Sequence, residues 1–313
     1  MAKPTQKELA KLRADYLLKR EAILKGKVNS LQAVLFEKIY NQYLSALQQE
    51  DGKLVNSLSN RNLIAGLDKI YKQFNISNNI PVVKSFVKDL NGIHDLNISY
   101  FDIISKEKTK VSAPIVKASI DNKLGLKPDG SIKQNGFTDK FINDLSTLKK
   151  IKKLTSQALT KNKPFNEFRD DLKTYIEGNP NIKDSGGLQQ YYRNNAYDTM
   201  HQVDRLTQQE FGKRLGLRYF VYTGGLIATS RDFCIHYNGR ILNAEEFSQL
   251  QRSDLPPNQQ EGIPEEDWNP LLELGGYGCR HSVDWVADSF ADNFKAEYNK
   301  KAVERAKEFR ASK

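Results

Sequence analysis

Thr229-Ser230-Arg231-Asp232-Phe233-Cys234-Ile235-His236-Tyr237-Asn238-Gly239-Arg240 and, further on, Gly275-Gly276-Tyr277-Gly278-Cys279-Arg280-His281 are the stretches on which the reading of this fold turns. They contain both cysteines of the chain and two of its four histidines. Each places a sulfur and an imidazole two positions apart, as Cys234-Ile235-His236 and Cys279-Arg280-His281. Each also sits among chain breakers, Asn238-Gly239 after the first and three glycines before the second. Chemically matched groups at two distant points imply that those points meet in the fold. If both pairs are extended, each directs its two side chains to one face, because side chains alternate along a strand.

Several chemistries are open to that meeting point. Cys234, His236, Cys279 and His281 are a tetrahedral zinc donor set by ligand type, although Cys-x-His is not the spacing of the usual cysteine knuckle. A Cys234–Cys279 disulfide is a second option. A third is a pair of buried free thiols, with Arg231, Arg280 and Asp232 acting as polar clips, since free cysteine is among the most buried residue types. A reactive centre is the fourth. Cys279 beside His281 or His236 has the makings of a thiol nucleophile and its base. Alternatively, His236 and His281 as acid and base, with Arg231 and Arg280 steadying a phosphate, would suit a metal-independent nuclease. The sequence offers no third orienting group for that chemistry and no Walker-type phosphate loop.

Outward from these motifs the pattern is mostly helical. Residues 5–24 and 29–49 carry apolar positions at helical spacing, the second opened by Ser30 and closed by Asp51-Gly52. Further helices are expected at 59–74, at 80–93 behind Pro81, at 138–160 and at 165–176, the last ended by Gly178-Asn179-Pro180. His94 falls at the end of the 80–93 helix, and 119–137 reads as a turn-rich excursion. A polar helix spans 185–215, with His201 either exposed or hydrogen-bonding along the side of the helix. Leu217 to Thr223 alternates as a half-buried strand, and Asn243-Ala244-Glu245-Glu246 opens a helix as a capping box. Residues 252–278 read as loop, 283–286 as a short strand, and the remainder as a charged helix through about Arg310. The expected fold is mainly α with a small α+β C-terminal domain and an elongated helical N-terminal half. The expected divisions are 1–164, 165–290 and 291–313.

Charge is unevenly spread. The net charge is +10 over 313 residues, but residues 1–165 carry +14 and residues 166–313 carry −4. A basic half of this kind suits a polyanion such as DNA, and Lys149, Lys150, Lys152 and Lys153 are its densest cluster and a candidate DNA contact. No apolar run is long enough to span a membrane, so no membrane partner is expected. The start has no apolar core of a signal peptide. Two cysteines are too few for a secreted disulfide scaffold, which points to synthesis in a reducing cytosol. A mean hydropathy of −0.63 is low for one compact globule.

The order of the C-terminal motifs resembles the phage head morphogenesis family, the minor capsid proteins similar to the F protein of phage Mu. The matching residues are Thr229, Arg231, Cys234, Gly239, Cys279, Arg280 and His281. Arg193 and Thr199 stand for the polar signature of the preceding helix. Gly278 stands where the family often has Asn, and the helix signature is incomplete. The resemblance covers 165–290. It implies a non-enzymatic minor protein of a tailed-phage virion, made in the bacterial cytoplasm and acting in capsid assembly near the portal or inside the head. Portal, major capsid or scaffold proteins would be its partners. Contact with packaged DNA is an inference from charge. A nucleic-acid-processing enzyme built on the Cys/His/Arg centre is the alternative, and a DNA-binding module led by the basic half is a third reading.

Overall fold

The computed structural model describes residues 4–179, 181 and 184–313. The protein is 71% helical, mainly α with a small α+β C-terminal part. In chain order the elements begin with α1 (Gln6–Gln42), a hairpin of β1 (Gln49–Glu50) and β2 (Lys53–Leu54), α2 (Leu58–Phe74) and α3 (Ile80–Leu124). Next come α4 (Phe137–Ile142), α5 (Ser146–Thr160), α6 (Phe165–Glu177), α7 (Gly187–Tyr192) and α8 (Asp198–Leu215). The remainder runs β3 (Tyr219–Thr223), α9 (Asp232–Tyr237), β4 (Ile241–Asn243), α10 (Ala244–Ser248), α11 (Pro270–Glu273), β5 (Ser282–Val286) and α12 (Asp288–Ser312). Pro180, part of the expected stop after α6, lies outside the described residues. Among the described residues no helix is long and apolar enough to cross a membrane.

Three helix boundaries differ from expectation, each for a packing reason. The two N-terminal helices are one, because Leu24, Val28, Leu31 and Leu35 keep a buried stripe running through 25–30. Ser30 is therefore not a cap, and its hydroxyl turns back to Gly26 O at 3.3 Å. The helix begun at Ile80 does not stop at His94 but continues to Leu124, since Ile93, Asn97, Tyr100 and Phe101 extend its buried face. A non-helical Ser105 (φ −159°, ψ 98°) kinks it, and Pro114 is absorbed inside it. The expected 138–160 helix breaks between Ile142 and Ser146 into α4 and α5.

The chain forms two compact units, and the division does not follow the expected boundaries at 164/165 and 290/291. One unit comprises residues up to Lys19, Leu90–Gly130 and Tyr197–Lys313, and the other comprises Arg20–Asp89 and Ser131–Ala196. Both thus draw on the basic half. In the second, Phe141 is ringed by Phe86, Phe137, Tyr191 and Tyr192. The buried Asn60 amide pins the β1–β2 hairpin by donating to Gln48 O and Val55 O at 2.9 and 2.8 Å.

The first unit is built on an antiparallel sheet of order β4-β3-β5. Phe220 and Tyr222 pair with Trp285 and Val283 and so share one face. On the other face Val221, Ile241 and Val286 pack with Ala291, Phe290 and Tyr298 of α12. At Trp285 the free edge of β5 is met by side chains: Trp285 N–H donates to Gln208 at 3.2 Å, and Trp285 O accepts from Tyr100 Oη at 2.9 Å.

Arg13 of α1 is 2% exposed and reaches into this unit. Its guanidinium pairs with Asp204 of α8 at 3.0 Å and with Asp284 of β5, and stacks over the Tyr100 ring. Ser282 and Asn97 donate to Asp204 at 2.7 and 3.2 Å, and Thr223 donates to Asp284 at 2.9 Å. One cation is thus shared between two carboxylates, and the hydrogen bonds from Ser282, Asn97 and Thr223 help to carry the remaining negative charge. Removing one member of a buried ionic set costs about 3–5 kcal/mol, because the remaining charges lose their partner. Arg13→Met is expected to destabilise this unit by that amount in urea unfolding followed by Trp268 and Trp285 fluorescence. Arg218→Met, which breaks the exposed pair with Asp288, should leave the midpoint near wild type.

Candidate functional site

The two echoing motifs do meet, but they arrive by different local structures. Cys279 and His281, just before β5, both turn inward and are 6% and 5% exposed. Arg280, between them, points the other way and pairs with Asp198 at 2.8 Å. Cys234 lies on α9, where residues two apart diverge by about 200°. Cys234 therefore turns inward, 4% exposed, and His236 does not accompany it. The expected ligand set loses His236. Its ring packs edge-on against Tyr237, and burial, with Arg240 and Arg310 nearby, lowers its pKa to about 4.

The cluster consists of Cys234, Cys279 and His281, with donor atoms that all lie within 4.8 Å of one another. The two sulfurs are 3.7 Å apart and both cysteines are free. His281 Nδ1 lies 3.8 Å from Cys279 Sγ. Tyr222 joins from β3, with its hydroxyl 3.5 Å from Cys234 Sγ and 3.9 Å from Cys279 Sγ. The backbone of Tyr222 is fixed by the Asn238-Gly239 turn: Gly239 N–H donates to Tyr222 O at 2.7 Å, and Tyr222 N–H donates to Arg240 O at 3.0 Å.

Burial and the hydrogen bond between the two thiols set the protonation of these groups. The Tyr222 hydroxyl is held well above its usual range, first by desolvation and then by the two sulfurs. Cys279 is the thiol that ionises first. The hydrogen bond from Cys234 is the main cause, helped by His281 and Arg205. The same contact with Cys279, together with burial, pushes Cys234 up.

Three arginines surround the cluster, two of them bound to backbone carbonyls. Arg205 of α8, 2% exposed, donates to Leu272 O at 2.7 Å, Cys279 O at 2.6 Å and His281 O at 2.9 Å. Arg231 donates to Gly275 O at 2.7 Å. Arg280 and Gly278 N–H both bind the carboxylate of Asp198. Arg231 and Arg280 are thus engaged as clips, as one reading of the sequence has it. Asp232 clips elsewhere, to Asn258 and Arg310.

The nuclease arrangement requires His236, His281, Arg231 and Arg280 to converge, and these four side chains are committed to separate partners. A cleft of about 500 Å³ is lined by Arg13, His201, Gly224, Ile227, Arg280 and Asp284 among others. His201 is 3% exposed, so of its two expected placements the exposed one does not hold. Thr229 is exposed. In the basic cluster, Lys149, Lys150 and Lys153 are exposed on α5, while Lys152 is taken by Asp68 at 2.6 Å.

Arg205, Arg13 and the hydroxyl of Tyr222 were not legible as site residues. Arg205 sits in a polar helix where a charge is expected at the surface. Tyr222 carried one signal, its place on the same strand face as the buried Phe220.

Two glycines make the close approach possible. A β-carbon on Gly275 would sit 2.5 Å from Cys234 Sγ, and one on Gly224 would sit 2.7 Å from His281 Cγ. Gly225, next in sequence, has open space around it. Overpacking costs about 1–3 kcal/mol. Gly224→Ala and Gly275→Ala are each expected to destabilise by that amount in thermal or urea unfolding. Gly225→Ala should be neutral or stabilising by up to about 1 kcal/mol.

No family model, no curated protein and no solved structure matches this chain.

Proposed function

We propose that this chain is a minor structural protein of a tailed-phage head. It acts in capsid assembly near the portal or inside the shell, with portal, major capsid or scaffold proteins as partners. The observation that carries the reading is how the motif residues are used. Arg231, Cys234, Cys279, Arg280 and His281 follow the order seen in phage head morphogenesis proteins. In this fold they are ties between α8, α9 and the segment leading into β5. Residues spent on closing a domain suit a protein whose task is to present a stable surface.

The basic half supports a contact with packaged DNA. Lys149, Lys150 and Lys153 fall within about one turn of α5 and are exposed, so they can meet phosphates together. A place in the virion follows from the same reading.

The direct test is mass spectrometry of gradient-purified virions of the phage that encodes the chain. The protein should band with the capsid at a fixed ratio, and its absence from intact particles contradicts the proposal. The DNA contact has its own measure. Changing Lys149, Lys150 and Lys153 together to Ala should lower the salt slope of DNA binding by about 3, nearly one for each phosphate no longer neutralised. Lys152→Ala should leave the slope as it is, since that charge is already matched by Asp68.

A further inference from the structure

The cluster at Cys234, Cys279, His281 and Tyr222 has the dimensions of a metal site. A tetrahedral zinc with Zn–S bonds of about 2.3 Å holds its two sulfurs about 3.8 Å apart. With Zn–N and Zn–O bonds of about 2.0 Å, it holds nitrogen or oxygen about 3.5 Å from each sulfur. Here the sulfurs are 3.7 Å apart, the imidazole nitrogen is 3.8 Å from one of them, and the phenol oxygen is 3.5 and 3.9 Å from the two. Donors from three elements thus match four edges of one tetrahedron: Tyr222 from β3, Cys234 from α9, and Cys279 and His281 from the strand-entry segment.

Neither competing reading uses the whole set. A disulfide requires an S–S bond of about 2.0 Å, so the sulfurs would have to close by about 1.7 Å. It would also leave the imidazole and the phenol with no role. Two free thiols explain the burial but not the convergence of four polar side chains in a dry place.

We propose that Cys234, Cys279 and His281 bind a single transition-metal ion, zinc by donor type, with the Tyr222 hydroxyl at the fourth corner. Binding replaces two S–H bonds by two S–Zn bonds and releases both protons to solvent. The two thiolates then balance the charge of the ion, and a neutral unit is buried. All four donors are buried, so the site is a structural clasp. It ties α9 to the segment before β5, and the proposal stands whether or not the chain belongs to a phage head.

The test uses the full chain. Protein purified without chelator is assayed for zinc by elemental mass spectrometry. Its thiols are counted after unfolding, and the zinc-free protein is reloaded with Co²⁺. About one zinc per chain is expected, together with the intense visible bands of four-coordinate cobalt and a sulfur-to-cobalt charge-transfer band. Cys234→Ser and Cys279→Ser should lose the charge-transfer intensity and most of the zinc. His236→Ala should keep both, although sequence alone makes His236 the equal of His281. Tyr222→Phe should shift the cobalt bands. If the cysteine variants do not fold, the cobalt spectrum of the unaltered chain still decides the matter. Zinc well below stoichiometric with two free thiols, a Cys234–Cys279 disulfide, or cobalt bands of six-coordinate type would each overturn the proposal.

Discussion

The guanidinium of Arg205 is the point on which the C-terminal architecture depends. Its donors bind the carbonyls of Leu272, Cys279 and His281. Those carbonyls belong to a segment that is largely irregular from α10 to β5, where helix and sheet cannot satisfy the backbone. A buried carbonyl without a partner costs about 1–3 kcal/mol, so one planar, always-charged side chain solves three problems together. It also decides position. Once Cys279 and His281 are held against α8, Cys279 Sγ can stand 3.7 Å from Cys234 Sγ, and β5 enters its register against β3. Loop strain is tolerated nearby. Leu274 is fully buried with φ at +50°, a conformation costly for a branched side chain that persists where its surroundings over-determine it.

A second buried arginine does comparable work on β5 itself. Arg13 pairs with Asp204 and Asp284, and α8 contributes to both sites through Asp204 and Arg205. Consecutive residues of one helix thus hold one strand and the segment that leads into it. The polar character of α8, with Thr207, Gln208 and Asp204 fully buried, is the consequence. Gln208 donates its side-chain amide to Asn97 and accepts from Trp285 N–H. A helix that reads as solvent-facing by composition is instead a buried hydrogen-bonding spine.

That inversion explains what the sequence could and could not disclose. The strand at 219–223, the strand at 282–286 and the glycine-ended helices were legible, because alternation and terminators act locally. The helix joins at Lys25 to Ser30 and at His94 were not, since only tertiary burial of Val28 and Ile93 shows that the stripe continues. Of the four Cys/His positions, the pair before β5 behaved as its spacing implies. The helical pair did not, because Asp232 starts a helix immediately after Arg231 and sends His236 away. Charges read as surface features, Arg13 and Arg205 above all, turned out to be interior because each meets acceptors distant in sequence.

Arg205 seats the strand-entry segment and thereby assembles the cluster. Hydrogen exchange on Arg205→Lys tests this most directly, since lysine keeps the charge but lacks the planar fork that binds several carbonyls together. Amides of residues 272–286 are expected to lose protection by at least about tenfold, equivalent to about 1.4 kcal/mol, while the β3–β4 pairing of Phe220 with Leu242 keeps its own. Unchanged protection across 272–286 would contradict the role assigned to Arg205.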